Sequence, residues 1–218
     1  MSATAPLAVV LAAGKGTRMK SELPKVLFPV LGRPMVEFVL EALEAAGIRR
    51  KVVVVGYRAD EVRSVLQSWP GVEFAEQSEQ LGTGHAVMMC RSQIESHRGP
   101  IVIVTGDSPL LQPSSLKKLL DHFHAHHPAC LLGTLEKDDP TGLGRILRNE
   151  EGEFLGIVEE KDATDEQRRI REVNMSTYVF DPEALLQSLE QLDNRNQQGE
   201  YYITDCPGIL KAAGKRVE

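Results

Sequence analysis

Apolar runs alternate with amphipathic segments along the first part of the chain. LAVVLA (7–12), KVVVVG (51–56), VEFAEQ (72–77) and PIVIVTGD (100–107) read as strands. The first, second and fourth are nearly continuous in Val, Ile and Leu, the pattern of strands buried on both faces. Between them lie helical patterns. PMVEFVLEALEAAG (34–47) has Pro34 near its first turn, repeats apolar residues at Val36, Val39, Leu40, Leu43 and Ala46, and stops at Gly47. ADEVRSVLQSW (59–69) and GHAVMMCRSQIES (84–96) each read as one further helix. This order predicts a parallel sheet with helices on both faces and right-handed crossovers. After about residue 130 the rhythm changes. ACLLGTLE (129–136), GRILRNEEGEFLGIVEE (144–160) and REVNMSTYVF (171–180) read as strands, with N-E-E-G (149–152) as a hairpin turn. The expectation is one continuous α/β globule: a helix-flanked sheet over 1–128 and a smaller β-rich lobe over 129–218, with no internal repeat or flexible linker.

A chain of 218 residues, 42% of them hydrophobic, is long enough for one large domain with a real core. Aromatic residues make up only 5%, which argues against an aromatic binding platform. A net charge of -6 argues against nucleic acid as a partner, since phosphodiester binding needs a broad cationic face. One stretch breaks the acidic trend: Lys15, Arg18, Lys20 and Lys25 against Glu22 leave a local charge of about +3. Such a focused loop suits a small anion. Cys90, Cys130 and Cys206 are isolated and odd in number, as expected of buried thiols in a reducing compartment. The opening MSATAPLAVVLAAG lacks a cationic leader, and its apolar run is too short for a signal peptide or a membrane span. A cytoplasmic protein with no membrane partner is expected.

The cationic loop follows the first strand directly. Strand, glycine loop, helix is the layout in which backbone N–H groups point at a phosphate. Gly14-Lys15-Gly16 lacks the third glycine of G-x-G-x-x-G, because position 19 is Met, and the Walker pattern is absent. Arg18 and Lys25 add cations, and Pro24 restricts the backbone before Lys25. Asp107 ends the fourth strand in TGDSPL (105–110), at the sheet edge where ligands bind, and reads as a Mg²⁺ ligand. Its competing role is to cap the next helix, for which Ser108 and Ser114 are also available. His122, His124, His126 and His127 fall on a predicted helix, PSSLKKLLDHFHAHHP (113–128), where only His122 and His126 share a face. They read as a polar helix end rather than a zinc site.

LAAGKGTRM…LPK (11–25), EQLGTGHA (79–86), Gly106-Asp107, DDPTGLGRI (138–146), IVEEKDAT (157–164), Val173-Asn174 and QGEYYITD (198–205) together resemble the bacterial N-acetylglucosamine-1-phosphate uridylyltransferase domain. The match runs in order over essentially the whole chain. The first motif is shared with many nucleotidyltransferases; the middle and late ones are more specific. The resemblance implies a dinucleotide-binding-like, mixed and mainly parallel sheet with a small sugar-binding β lobe. It implies synthesis of UDP-N-acetylglucosamine and pyrophosphate from UTP and N-acetylglucosamine 1-phosphate, with Mg²⁺. Arg18 and Lys25 would be catalytic, facing the phosphates. Leu11, Ala12, Ala13, Gly14 and Lys25 would lie along the nucleotide, and Gln77, Gly82 and Thr83 would read the uracil. An amide side chain can both donate to and accept from a pyrimidine edge. Thr105, Gly106 and Asp107 would sit under the ribose and metal. Gly144, Glu159 and Asn174, with Thr204 nearby, would hold the sugar.

Three features depart from the family pattern. Thr105 stands where the family has an aromatic residue, Asn174-Met175-Ser176 replaces Asn-Thr-Gly, and the sequence runs to Glu218, before the family's second metal-ligand motif and the acetyltransferase domain that often follows. Two other readings stay open on the residues alone: a nucleotidyltransferase for another sugar 1-phosphate such as glucose 1-phosphate, and a nucleotide-sugar-binding protein without turnover.

Overall fold

The computed structural model describes residues 4–16 and 19–218. Its central sheet begins with four parallel strands. β1 (Leu7–Ala12) lies between β4 (Arg50–Val55) and β6 (Ile101–Thr105), and β5 (Val72–Glu76) forms the outer edge beyond β4. Val9 is the register point, opposite Val52 on one side and Ile103 on the other. The sheet then turns antiparallel. β10 (Glu172–Phe180) runs against β6 at Tyr178–Phe180 and against β7 (Cys130–Glu136) along its length. A register shift between Asn174 and Tyr178 lets the other half of β10 meet β8 (Arg145–Arg148), which forms a hairpin with β9 (Phe154–Val158). A two-strand ribbon, β2 (Pro29–Val30) with β3 (Arg33–Pro34), stands apart.

Alternation along the strands divides the core into two layers. Ala8, Val10, Val53, Val55, Val102 and Val104 face α1 (Met35–Ala45), α2 (Ala59–Leu66) and α5 (Pro113–His126). Leu7, Val9, Val52, Val54, Ile101 and Ile103 face α3 (Thr83–Met88), α4 (Arg91–Glu95), α6 (Pro182–Leu189) and α7 (Asp205–Ala212). With both faces covered, β1, β4 and β6 are removed from water over nearly all of their length, which is why these segments read as unbroken apolar runs.

Two expectations need correction. The segment 84–96 is two helices, α3 and α4. The Cys90 amide bonds Val87 O at 2.9 Å in a tighter turn, and the Cys90 carbonyl then accepts from Ile94 N to begin the second helix. The second half also carries α6 and α7, so it is less purely β than its strand patterns suggest. The N-E-E-G turn forms as expected: Gly152 N donates to Asn149 O at 3.0 Å, and Gly152 adopts φ +80.

Lys51 opens the β4 run and is fully buried, on the same face as Val53 and Val55. Its ammonium ion-pairs with Glu44 in the last turn of α1, where Arg49 is a second partner. These hydrogen bonds, the one from Lys51 first, hold the Glu44 carboxyl below the ordinary carboxylate range. Removing the acid strands a buried cation, whereas replacing the cation by an apolar chain of similar length does not. Glu44→Ala is therefore expected to cost about 3 kcal/mol, and Lys51→Met much less, in denaturant unfolding. Because the Glu44 carboxyl is depressed on folding, its contribution is present above the unfolded carboxylate range and is lost as pH falls through the folded value. The wild-type midpoint should fall on acidification more steeply than that of Lys51→Met.

Candidate active site

The pocket lies at the carboxyl ends of β1 and β6, where parallel strands release their loops. Gly106 N donates to Leu11 O at 2.9 Å and joins these two loops, and Tyr57 N, just past β4, donates to Ala13 O at 3.0 Å and ties the β1 loop to the next strand's end. Leu11, Ala13 and Gly14 line a cavity of about 750 Å³, against about 320 and 380 Å³ for two clefts near the end of the chain. Only the large one has room for a nucleotide with a sugar attached. The Ala12 side chain alternates to the opposite face and is buried in the core.

Gly16 explains itself through Lys25. It adopts φ +68, and a Cβ there would sit 2.6 Å from Lys25 Cβ. A side chain at 16 is thus excluded by backbone conformation and by the lysine stem crossing over it. Pro24, at φ -50 and ψ 135, leads into a short 3₁₀ turn, Lys25–Leu27, whose Val26 and Leu27 are buried anchors. Lys25 is thereby aimed across the pocket, and its ammonium ion-pairs with Asp107. Asp107 does not cap α5; the residue preceding that helix is Gln112, which makes no side-chain cap. Ser108 instead shares a 2.7 Å hydroxyl contact with Thr105, which lines the pocket, while Gly106 packs under the loop against Val26 and Leu11 O. Arg18 lies outside the described residues.

A second wall is built by the 77–85 segment. Gln77 is buried, and its Nε2 donates to Gly82 O at 2.9 Å and meets His85 Nδ1 at 3.0 Å. Gly82 adopts φ +107, with Tyr201 O only 2.5 Å from where its Cβ would stand. That close approach lets Gly84 N bond Tyr201 O at 2.7 Å and Tyr201 N bond Leu81 O at 2.8 Å. Thr83 Oγ1 accepts from Ile203 N at 3.0 Å. Gln77, Gly82 and Thr83 all line the cavity.

Gly144, Glu159, Asn174 and Thr204 form one cluster just beyond that lining. Asn174 N donates to Gly144 O at 2.9 Å, and Thr204 Oγ1 donates to Glu159 Oε1 at 3.0 Å. A Cβ on Gly144 would stand 3.6 Å from both Glu159 Oε1 and Asn174 Cβ. The Asn174 side chain is buried, with Nδ2 donating to Tyr178 OH at 2.6 Å and Oδ1 accepting from Ser176 N. Burial pushes the Glu159 carboxyl upward against the lowering effect of Thr204, with Asp162 and Glu200 adding to the rise. Neighbouring Asp205 is pushed up to about 6, by burial first and then by Glu159. Arg145, buried in the preceding motif, bonds Glu160 at 2.6 Å, and Glu160 also accepts from Gly142 N at 3.1 Å, which holds the loop before Gly144 in place.

Two further lysines line the cavity: Lys15, which the charge of the glycine loop marks in the sequence, and Lys161, which lies in a quoted motif but is given no role there. Lys15 sits 5.1 Å from the centre of the Tyr57 ring, and Lys161 donates to the Gln198 side chain, whose Nε2 donates on to Tyr202 OH at 2.7 Å. Both lysines are on neutral partners, so their charge stays available to an anion. The histidine group is elsewhere: His122 Nε2 meets the Glu218 carboxylate at 2.5 Å, and the His126 ring lies beside it, tilted, with ring centres 4.3 Å apart. Among the described residues no three His, Cys, Asp or Glu side chains are placed to hold a metal ion. The pocket carboxylate Asp107 already holds a cation, the Lys25 ammonium, and it offers hard oxygen donors. A single carboxylate of this kind fits a divalent ion that takes its remaining ligands from phosphate and water.

The chain matches the MobA-like NTP transferase domain over residues 8–204. It is 47% identical over 210 residues to the bifunctional protein GlmU of Streptococcus mutans serotype c and 49% identical over 210 residues to that of Exiguobacterium sibiricum. Those alignments take in 96% of this chain and 45% and 46% of the relatives, so the chain spans less than half the length of the curated proteins it matches. Its fold superposes on a crystal structure of UDP-glucose pyrophosphorylase complexed with UDP-glucose with a TM-score of 0.78, 18% identity, and coverage of 97% of this chain and 88% of the other. With the parallel strand ends, the glycine loop and the matched span all in agreement, the chain belongs to the MobA-like NTP transferase domain family.

Proposed function

We propose that this chain transfers a uridylyl group from UTP to N-acetylglucosamine 1-phosphate, forming UDP-N-acetylglucosamine and pyrophosphate. The observation that carries the reading is that one cavity joins the β1 loop, the Lys25–Asp107 pair and the Gln77–Gly82–Thr83 wall. Its support from outside is the identity of nearly half over 96% of this chain to bifunctional GlmU proteins. In this reading residues 1–128 carry the nucleotide and 129–218 the sugar. Leu11, Ala13 and Gly14 would lie along the nucleotide, and the Gly144–Glu159–Asn174–Thr204 cluster would take the sugar hydroxyls and acetamido group.

The sugar phosphate would attack the α-phosphorus of UTP in line, with pyrophosphate leaving. No protein nucleophile is required. The chain's task is to align two anions and to offset their repulsion, which at ~4 Å is about 1 kcal/mol in water and several at lower dielectric. Lys25 would move from Asp107 to the transferring phosphoryl oxygens, and Lys15 and Lys161 would face the flanking phosphates. A divalent cation, Mg²⁺ in this reading, would be held by Asp107 and would supply further charge neutralisation.

With UTP, N-acetylglucosamine 1-phosphate and Mg²⁺, the protein is expected to release pyrophosphate, and glucose 1-phosphate is expected to be a poor substitute. Absence of turnover, or equal use of both sugars, would sink the assignment. Lys25→Ala should lower kcat about 10²-fold or more while the circular-dichroism melt stays close to wild type. Unchanged turnover would remove Lys25 from the chemistry.

At the sugar end, Glu159→Gln keeps an acceptor for Thr204 but removes the charge, whereas Glu159→Ala removes both. The expected result is a rise in KM for the sugar phosphate of roughly tenfold for Glu159→Ala and less for Glu159→Gln, with KM for UTP unchanged. Equal rises for both substrates would place Glu159 in the scaffold and not at the sugar.

A further inference from the structure

Gln77 is 3% exposed, so the use of its amide hydrogens is a closed question within the protein. A carbonyl oxygen cannot donate; the atom 2.9 Å from Gly82 O must therefore be the NH₂ group. The same nitrogen lies 3.0 Å from His85 Nδ1, so that ring nitrogen must present its lone pair, with the ring proton on Nε2. Both amide hydrogens are then consumed by the protein. Gln77 Oε1 accepts no hydrogen bond among the described residues, and the side chain lines the cavity. Toward a ligand, Gln77 is an acceptor only. This narrows the sequence expectation that the amide would both donate and accept.

We infer that His85 determines base choice by occupying the second Gln77 N–H, which leaves Oε1 alone to meet the imide N–H of uracil. The inference rests on the uridylyltransferase reading above and adds a positioning residue to it. The edge of uracil offers one donor, N3–H, between two carbonyl acceptors, and an acceptor-only side chain matches that donor. Cytosine has a lone pair at N3 and its donor displaced to the N4 amino group, so an Oε1 held opposite N3 would face an acceptor, and a buried polar mismatch discriminates strongly. Without His85 Nδ1 a buried N–H is left unpaired beside the pocket, and it can turn to donate to cytosine N3. The position of His85 is secure because α3, which carries it, is tied to the far wall through Gly84 N and Tyr201 O.

The test compares UTP with CTP, by kcat/KM and by calorimetric binding, in wild type, His85→Leu and His85→Asn. Asparagine can place its side-chain oxygen near the position of Nδ1 and so restore the acceptor. The wild type should prefer UTP. His85→Leu should lose roughly tenfold or more of that preference, and His85→Asn should recover most of it, with thermal melts showing that all three fold. An unchanged UTP:CTP ratio in His85→Leu overturns the inference, as does a loss shared equally by both nucleotides. Failure of wild type to release pyrophosphate overturns the enzymatic reading instead, and the binding ratio then decides the role of His85 by itself.

Discussion

Parallel pairing between β1 and β6 continues one bond past the last register pair, Leu11 with Thr105, as Gly106 N bonds Leu11 O. This bond holds the glycine loop after β1 at the same height as Asp107 after β6. Everything chemical in the pocket follows from that alignment. The Lys25 stem packs directly on Gly16 on its way to Asp107, an approach that a side chain at 16 would block. Gly106 sits under the same junction, 3.1 Å from Val26 as measured from a hypothetical Cβ, so bulk there would lift the 3₁₀ turn that carries Lys25. The backbone is the scaffold of the site, and the glycines are where it allows two strands' loops to touch.

The fold was legible in the sequence where burial is two-sided. The Val-, Ile- and Leu-rich runs had one physical explanation, and β1, β4 and β6 appear within a residue or so of their apolar stretches. Legibility failed where local and tertiary demands part. Lys51 begins an apolar run yet is wholly buried, and only Glu44, brought up by α1, makes that tolerable. The Cys90 break between α3 and α4 leaves the helical period nearly intact, so the pattern could not reveal it. α6 did carry a sign that a fuller reading could use: Asp181 accepts from Ala184 N at 2.9 Å and Pro182 follows at the first helical position. α7 contains Pro207 and Gly208, and its helix rests on packing against β9 and α6 rather than on propensity.

The candidate site was legible by motif and illegible by partner. Lys25 and Asp107 each stood out in the sequence, but nothing in it announced that they would pair across 81 intervening positions. Gln77, at the end of the VEFAEQ run, and the EQLGTGHA motif, through Gly82 and Thr83, pointed at the base. The role of His85 emerges only when the hydrogens of a buried amide are counted, which requires knowing that Gln77 is buried. Lys161 and Gln198 likewise sit in quoted motifs, yet their contact joins two segments that become neighbours only in the fold.

Charge is distributed along the cavity in a way that a net value of -6 conceals. Lys15 and Lys25 line the cavity; in the acidic group beyond the lining, burial first and then Asp162 and Glu200 raise the Glu159 carboxyl, and burial first and then Glu159 raises that of Asp205. Such an acidic group costs free energy to assemble, since burial and mutual repulsion both oppose ionisation. It is useful if the ligand brings hydroxyl and amide donors there, because a carboxylate is a stronger acceptor than a neutral group. It would be a poor place for a phosphate. A molecule with a phosphate at one end and a polyhydroxyl ring at the other therefore has one favourable direction in the pocket, which in the proposed reaction turns the sugar phosphate toward the nucleotide before any bond is made. Lys161, held by the neutral Gln198, lines the same cavity as Lys15 and Lys25 and adds to the attraction for the phosphate end.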